Sequence, residues 1–240
     1  MAGATDLQVE IDETPGRSQA EESFVLTSDD GTPERIVLHD YARVYAVPGL
    51  YEEVVQRRLG CASPGVLAAT LADAVGAAGA SMADLRVLDV GAGNGVVGEE
   101  LHARGAQVVA GTDGVVATRD AARRDRPALY DVYAIAGVDD VAVEQLVADH
   151  GLTALTSAGA LGIGHVEVTD AARWWAAFPP GSWFAVTVPL EVADPAGEDL
   201  PGALTAAAPT TQIVRQETFA HRRRMSGETI TYTVLVARKS

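Results

Sequence analysis

The strongest constraint on the fold is a regular alternation of short apolar segments with helical segments, which begins near Leu85. Apolar segments rich in Val, Ile and Ala predict strands at 85–90, 107–112, 130–136, 152–157 and 182–188. Segments with helical spacing lie between them, at 96–103, 115–124, 141–150 and 169–178. This rhythm is typical of a parallel sheet that helices cover on both faces. The sequence therefore predicts an α/β fold with a mostly parallel sheet.

The alternation stops near the end of the sequence. Residues 212–223 and 228–237 both have interleaved polar and apolar positions that predict strands, and Ser226-Gly227 lies between them. Two strands joined by so short a turn must be antiparallel. The predicted sheet therefore finishes with a C-terminal antiparallel hairpin.

Two further parts are predicted before this sheet. Residues 1–33 are rich in Asp, Glu, Thr, Ser and Gly, which predicts a mostly flexible acidic leader with one short extended piece at Ser23–Thr27. Residues 34–80 are predicted to form an N-terminal helical cap, or lid: two short helices with a break at Pro48-Gly49, then a firmer helix. Residues 81–240 would form the ligand-binding catalytic domain.

Composition and charge narrow the classes of function. Cys61 is the only cysteine of the 240 residues, which excludes intramolecular disulfides and cysteine-rich zinc sites. The sequence has no apolar run long enough for a membrane span and no signal-peptide pattern at its start, so we expect a cytoplasmic protein without a membrane partner. The net charge of −15 repels phosphates, so we expect no nucleic acid partner either, and we interpret Arg123-Arg124 and Arg222–Arg224 as solvated faces.

A glycine-rich turn follows the first strand of the alternation. Such a turn lets the backbone approach a nucleotide-like ligand at the start of a helix. Gly93, Gly95 and Gly98 satisfy the spacing of a dinucleotide-binding fingerprint, so an NAD(P)- or flavin-dependent oxidoreductase is one alternative. However, the apolar strand ends at Val90, so the tight turn should begin at Gly91. Gly95 then comes one residue too early for that fingerprint.

Two carboxylates favour a different ligand. Asp89, at the end of the first strand, would repel a diphosphate but would suit the ammonium and sulfonium of S-adenosylmethionine. Alternatively, Asp89 accepts hydrogen bonds from the loop backbone. Asp113 ends the second strand, where an acidic side chain can accept hydrogen bonds from both ribose hydroxyls. It can also cap the helix that follows.

These residues carry a resemblance to a known family. Val87–Gly95 resembles motif I of class I S-adenosylmethionine-dependent methyltransferases, and Val108–Asp113 resembles the ribose-binding strand that follows it. The resemblance covers about residues 85–240, including the terminal hairpin. It implies a Rossmann-like methyltransferase sheet with helices on both faces, S-adenosyl-L-methionine as cofactor and S-adenosyl-L-homocysteine as product.

The resemblance also implies where the cofactor binds. Gly91 and Gly93 should line its methionine end with Asp89 nearby, Asp113 should hold the ribose, and Asp139 is the candidate for the adenine. Tyr41 belongs to a lid that either meets the cofactor or only packs on the sheet. The complete set of predicted cofactor-binding residues is Tyr41, Asp89, Gly91, Ala92, Gly93, Asp113, Gly114, Val138, Asp139 and Ser157.

Methyl transfer from a sulfonium is an in-line displacement, which needs a base only when the acceptor must lose a proton. His165, in a glycine-containing loop after the fourth strand, is the best candidate for a catalytic base, the alternative being a histidine that only caps or packs. The other histidines are weaker candidates: His39, His102, His150 and His221.

The kind of acceptor is approached by exclusion. The segment Ser157–Leu161 does not resemble the catalytic motif of amino-methylating DNA enzymes. A cytosine C5 methyltransferase needs a nucleophilic cysteine in its site, but Cys61 lies well before the donor motif. The sequence therefore predicts metal-independent methylation of O or N on a small molecule or short peptide, in the specialised metabolism of natural products. A non-catalytic nucleotide-binding domain stays an alternative. The oligomeric state is open, with a homodimer among the options.

Overall fold

The computed structural model describes residues 7–136, 139, 142–162 and 166–240. Within them the strands form two sheets. The smaller sheet contains β1 (Gln8–Ile11), β2 (Ser23–Thr27) and β3 (Pro33–Val37). The larger sheet contains β4 (Arg86–Val90), β5 (Gln107–Asp113), β6 (Val132–Ile135), β7 (Ala154–Ala158), β8 (Trp183–Pro189), β9 (Thr211–Arg223) and β10 (Thr229–Lys239).

Helices precede, separate and cover the strands of the larger sheet. They are α1 (Tyr41–Ala46), a π-helical turn (Glu52–Arg58), α2 (Ser63–Ala77), α3 (Val96–His102), α4 (Val116–Asp125), α5 (Val143–His150), α6 (Val168–Ala177), α7 (Leu190–Ala193) and α8 (Leu200–Ala207). In the described part of the chain no single helix has the length and apolar content of a membrane span. The π-helical turn and α2, bent by 66°, satisfy that test only as a pair.

The larger sheet has seven strands in the order β6-β5-β4-β7-β8-β10-β9. Strands β6, β5, β4, β7 and β8 are parallel, whereas β10 is antiparallel to both β8 and β9. The predicted α/β sheet with a terminal hairpin is thus confirmed. The chain moves outward from β4 through β5 and β6, then returns to place β7 on the other side of β4. Ligands bind at the carboxyl ends of strands at such a switch point.

Both faces of the parallel sheet are buried. In β4, Val87 packs into the apolar cluster that includes Leu67 and Leu71 of α2, while Leu88 packs into the opposite cluster with Trp175 of α6. Because successive strand residues point to opposite faces, a strand covered on both sides has a continuous apolar sequence. This explains why the sequence pattern located these strands well.

The region before the larger sheet differs from the prediction. The extended piece at Ser23–Thr27 and the two short helices on either side of Pro48-Gly49 are present. Instead of a mostly flexible leader, however, β1, β2 and β3 form an antiparallel sheet. Its apolar side chains, including the fully buried Phe24, pack against α1 and the π-helical turn. Each of these strands is short and has few apolar residues. The alternation of polar and apolar residues in each is therefore too weak to distinguish a strand from a polar segment by sequence.

A buried ion pair fastens this small sheet to the hairpin. Arg222 of β9 donates to Glu22 over 2.7 Å, and their side chains are 6% and 3% exposed. The other carboxylate oxygen of Glu22 accepts from the backbone N–H of Met225, also over 2.7 Å. The β1–β3 sheet is therefore held against the β9–β10 hairpin, although the sequence separates them widely.

Candidate active site

The turn between β4 and α3 is shaped by three glycines. Gly91, Gly93 and Gly95 have φ angles of 67°, 55° and 96°, in the left-handed region that favours glycine. The backbone N–H groups of Gly91 and Ala92 donate to the carbonyl of Thr112 over 2.8 and 3.1 Å. The turn is thus fixed to the end of β5, at the edge where the carboxyl ends of the strands meet.

Asp113 connects this turn to the next one. One carboxylate oxygen accepts from the N–H of Gly93 and the other from the N–H of Val115, each over 2.9 Å. The side chain also lines a cavity at the edge of the sheet. Asp113 thus fixes the backbone of both turns and also lines the cavity, because an ionised carboxylate has further lone pairs with which to accept.

Asp89 lies near the end of β4, as predicted, beneath the glycine turn. It is fully buried, and its carboxylate accepts from the hydroxyls of Tyr130 over 2.9 Å and Thr156 over 3.1 Å. Burial raises the pKa of this carboxyl from 3.8 to about 7, although both hydroxyls lower it. Asp89 lines neither of the two cavities described below. Asp89 is thus a buried group beneath the glycine turn, and its contact with a cationic ligand stays a prediction.

The first cavity, here called the sheet-edge cavity, has a volume of about 610 Å³. Residues at or just beyond the carboxyl ends of β4 to β7 line it: Gly91, Asp113, Gly114, Ala136 and Ala158. Its remaining wall is partly apolar, with Val143 of α5, Val166, and Trp174 of α6. A polar end and an apolar end thus share one space.

The second cavity, here called the hairpin cavity, has a volume of about 640 Å³. Its walls include Leu38 and His39, next to the small sheet, and His221 and Tyr232 from the β9–β10 hairpin. Six residues line both cavities: Tyr41, Tyr45, Tyr51, Gly91, Ala158 and Gly159. The two spaces therefore meet above the glycine turn.

Three tyrosines cover this junction. The rings of Tyr41 and Tyr45 are stacked with centroids 6.1 Å apart, and those of Tyr45 and Tyr51 with centroids 4.9 Å apart. Burial raises the pKa of Tyr41 to about 12 and that of Tyr45 well above its usual value, so both hydroxyls are neutral. An added Cβ on Gly93 would lie 2.3 Å from the Tyr45 hydroxyl oxygen, which shows how closely the lid approaches the turn.

Polar contacts hold α1 and the π-helical turn in place; these residues, 41–58, form the part of the lid that covers the junction. The Asn94 side chain, 1% exposed, donates to Glu52 over 2.7 Å and to Asp125 over 3.0 Å. Arg126 donates to the same Glu52 oxygen over 2.9 Å and to the Asn94 carbonyl over 3.1 Å. The π-helical turn is thus connected directly to the glycine turn and to the end of α4.

The other predicted site residues have mixed positions. Tyr41 and Gly114 line the sheet-edge cavity, and Ala92 lines the hairpin cavity. Ser157 differs from the prediction: it is fully buried and lines neither cavity, because the alternation of β7 directs its neighbour Ala158 there instead.

Asp139 also differs from its predicted adenine-contacting position. Its carboxylate accepts from Arg119 over 2.8 Å and from the N–H of Ile135 over 2.6 Å, and it lines neither cavity. These contacts lower the pKa of Asp139. The predicted base His165 and the predicted contact Val138 lie outside the described residues.

Several residues that line the cavities are not among the predicted site residues. Trp174 lines the sheet-edge cavity. His221 was ranked below His165, yet it lines the hairpin cavity beside Ser63. The sequence predicted the terminal strand that carries His221. It gave no sign that this strand lies next to Ser63, because the two residues are far apart in the chain. Among the described residues no cluster of His, Cys, Asp or Glu could hold a metal ion.

Comparison with known proteins gives structural likeness only. No protein-family model and no curated protein matches the sequence. A putative RNA methyltransferase from Pyrococcus horikoshii is 14% identical with a TM-score of 0.53, over 75% of this chain and 84% of that chain. The [4+2]-cyclase SpnF is 19% identical with a TM-score of 0.50, over 73% and 80%.

A third solved structure concerns the conversion of a disulfide bond into a thioacetal group during echinomycin biosynthesis. It is 14% identical with a TM-score of 0.51, over 82% of this chain and 93% of that chain. At such identities the likeness establishes the fold and not the reaction. With its sheet order, its terminal hairpin and its glycine turn, the chain has the fold of the class I S-adenosylmethionine-dependent methyltransferases.

Proposed function

We propose that this protein is an enzyme that transfers a methyl group from S-adenosylmethionine to a small molecule. The observation that carries the proposal is the meeting of two cavities above the glycine turn, at Gly91, Ala158 and Gly159. A group-transfer enzyme must hold two reactants with their reacting atoms adjacent. Two spaces of about 610 and 640 Å³ that share a boundary supply that arrangement.

The sheet-edge cavity fits the donor. Asp113 offers carboxylate lone pairs to ribose hydroxyls, while Val143 and Trp174 offer an apolar surface to the adenine. The backbone at Gly91 allows the methionine end to approach closely, because no side chain intervenes. A diphosphate would suit this cavity poorly near Asp113, whereas Glu144, which also lines it, is paired with Arg173.

When bound there, S-adenosylmethionine supplies an electrophilic methyl group on a sulfonium. The protein's own contribution is alignment and exclusion of water. Tyr41 and Tyr45 cover the junction with neutral hydroxyls, and the network of Glu52, Asn94 and Arg126 holds that cover in position. Alignment of this kind can account for a large part of the rate of a displacement reaction.

The hairpin cavity favours a small acceptor. Its volume of about 640 Å³ lies in the range usual for sites that bind small organic molecules. The net charge of −15 disfavours RNA, despite the likeness to a putative RNA methyltransferase. A place in natural-product metabolism is part of the proposal. The likeness to the structure from echinomycin biosynthesis agrees with this proposal, but it is a likeness of fold and does not extend to the reaction.

Isothermal titration with S-adenosylhomocysteine tests the proposal. We expect saturable binding to the wild-type protein and none of NADH at the same concentration. Asp113→Asn keeps an oxygen that can accept from a backbone N–H group but removes the charge. The affinity for S-adenosylhomocysteine should therefore fall about tenfold, the equivalent of about 1.4 kcal/mol. Asp73→Asn, on the exposed face of α2, is the matched control and should bind as the wild type does. Absence of heat at millimolar S-adenosylhomocysteine, or preferential binding of NADH, would overturn the proposal.

A further inference from the structure

The hairpin cavity has an aromatic lining. Tyr41, Tyr45, Tyr51 and Tyr232 contribute to its walls, together with the imidazole of His221. Flat, partly apolar surfaces of this kind complement a flat ligand, because aromatic rings pair best by offset stacking or edge-to-face contact. Polar side chains such as Asn94, Glu191 and Arg224 also line the cavity, so the lining favours an aromatic molecule that carries a polar group.

His221 is held in a fixed orientation within this lining. Its ring stacks on Tyr232 with centroids 3.9 Å apart and an interplanar angle of 9°. Its Nδ1 atom lies 2.7 Å from the hydroxyl oxygen of Ser63, at the start of α2. The backbone carbonyl of His221 also accepts from the N–H of Ala62 over 2.8 Å. Both the ring and its backbone are therefore fixed against the segment that leads into α2.

The polar atom left for a ligand is Nε2. His221 is 8% exposed and lines the cavity, and among the described residues Nε2 makes no hydrogen bond. This atom opens onto the cavity, where water can reach it. A ligand with a matching polar group can take the place of that water.

A β-bulge directs His221 inward. Across β9 and β10, Ile230 pairs with Arg222 and Thr231 with Ala220, so His221 is the extra residue of the bulge. As a result the neighbours His221 and Arg222 are both buried, although adjacent strand residues normally face opposite sides. Bulges that re-aim a side chain are frequent next to active sites.

The imidazole is neutral at neutral pH. Burial and, second, the charge of Arg222 lower the pKa of His221 from 6.5 to about 3. A neutral imidazole has one N–H and one lone pair. When Nδ1–H donates to the Ser63 oxygen, Nε2 presents its lone pair to the cavity, as a hydroxyl donor requires.

We propose that the hairpin cavity binds a flat aromatic molecule whose hydroxyl group donates a hydrogen bond to His221 Nε2. The inference rests on the proposed function in one respect, namely that this hydroxyl is then the methyl acceptor. Transfer forms the oxygen–carbon bond and breaks the sulfur–carbon bond, whose electron pair stays on sulfur. The hydroxyl proton is released to solvent as the oxygen–carbon bond forms, while Nε2, whose lowered pKa makes it a weak base, orients the hydroxyl as its hydrogen-bond acceptor. Ser63 is a positioning residue that acts through His221.

Binding of 7-hydroxycoumarin tests the ligand class, with coumarin as the matched probe without a hydroxyl. Both are titrated by fluorescence into protein saturated with S-adenosylhomocysteine. We expect 7-hydroxycoumarin to bind at least about tenfold more tightly, as one buried hydrogen bond allows. Failure of 7-hydroxycoumarin to bind at millimolar concentration overturns the aromatic class. Equal affinity of the two probes overturns the role of the hydroxyl.

Variants test the role of His221. His221→Phe keeps the stacking on Tyr232 but has no Nε2, so the preference for 7-hydroxycoumarin over coumarin should disappear. His221→Gln offers an acceptor oxygen again and should restore part of the preference. Ser63→Ala should reduce the preference without removing it, because the imidazole loses only its orientation. His102→Gln, at an exposed position of α3, is the control and should keep the full preference.

Two readouts separate this inference from the proposed function. Affinity for S-adenosylhomocysteine reports both the fold and the donor site, and it should be unchanged in all four variants. If the wild type binds S-adenosylhomocysteine and His221→Phe still prefers 7-hydroxycoumarin, the inference is wrong and the proposed function stands. If the wild type does not bind S-adenosylhomocysteine, the proposed function fails first.

Discussion

At the scale of single residues, the carboxylates that end β4 and β5 have opposite environments. Asp113 faces a cavity and accepts from two backbone N–H groups. Asp89 is sealed beneath the same turn, where the hydroxyls of Tyr130 and Thr156 donate to its oxygens. A strand end followed by glycines predicts both acids equally well from sequence. Their difference arises from Tyr130 and Thr156, which belong to other parts of the chain.

The buried carboxyl should make stability depend on pH. The pKa of Asp89 is raised to about 7, so between about pH 4 and 7 the folded protein keeps a proton that the unfolded chain has lost. The free energy of unfolding should therefore fall as pH rises through this window. Asp89→Asn removes the effect. The difference in the free energy of unfolding between wild type and variant should therefore change by roughly 4 kcal/mol between about pH 4 and 7. Urea denaturation at several pH values, with Asp73→Asn as control, measures this, and parallel curves would contradict it.

The close approach of the lid to the glycine turn has a cost that can be measured. In Gly93→Ala the new methyl would lie 2.3 Å from the Tyr45 hydroxyl oxygen, and the φ of 55° disfavours alanine. We expect a loss of roughly 3 kcal/mol, of which about 1 kcal/mol is the backbone term. A double-mutant cycle with Tyr45→Phe should recover part of the loss. Additive energies would argue against the contact, while Gly76→Ala, with free space around it, should not destabilise.

Sequence reasoning located the part of the site that is local in the chain. Gly91 and Asp113 follow predicted strands, so their positions came from the pattern alone. The prediction for Ser157 was one residue from the cavity lining, because strand alternation directs Ala158 and not Ser157 to the cavities. His221 was undervalued since a bulge and a contact with residue 63 create its environment. Neither the bulge nor the contact with residue 63 can be recognised in a short stretch of sequence.

At the scale of elements, the lid depends on one shared carboxylate. Glu52 of the π-helical turn accepts from Asn94 of the glycine turn and from Arg126 after α4. The Arg126 side chain is 12% exposed, so it is screened from water far better than a surface pair. Arg124 adds two donations to the carbonyl of Tyr45 over 3.2 Å. The order of the lid is thus coupled to that of the turn beneath it.

Removal of Arg126 should therefore loosen the lid. Arg126→Ala leaves Glu52 without its cation, and we expect a loss of about 2 kcal/mol. Amide hydrogen exchange in peptides from residues 41–58 should become faster, while exchange in β8 and β10 should change little. Arg57→Ala is the matched control, since Arg57 is 66% exposed in its pair with Glu53. Unchanged exchange in the lid peptides would contradict the coupling.

Elements were predictable where their pattern was long or doubly buried. The parallel strands and the hairpin appear within a few residues of their predicted bounds. The β1–β3 sheet was not predicted, because each strand is short and its stability comes from packing on the lid and the hairpin. Helices α7 and α8 also went unpredicted. Such elements are fixed by tertiary contacts rather than by their own propensity.

At the scale of the whole molecule, charge should decide between classes of acceptor. The chain carries a net charge of −15, and Arg222 of its basic run is buried in the pair with Glu22. We expect no binding of a transfer RNA at low ionic strength, because a phosphate backbone meets too little free positive surface. Fluorescence anisotropy with labelled RNA measures this. Binding that weakens steeply with added salt would contradict the expectation.

The ion pair between Glu22 and Arg222 also has a consequence for protein engineering. The segments next to the β1–β3 sheet, at 18–20 and 38–39, and the β9–β10 hairpin supply walls of the hairpin cavity, whereas residues at the carboxyl ends of β4 to β7 line the sheet-edge cavity. A chimera that exchanges one of these walls alone would bury a charge without its counter-ion, at a cost of several kcal/mol. Exchanging both walls together keeps the pair, so the hairpin cavity can be redesigned as one module while the sheet-edge cavity stays intact.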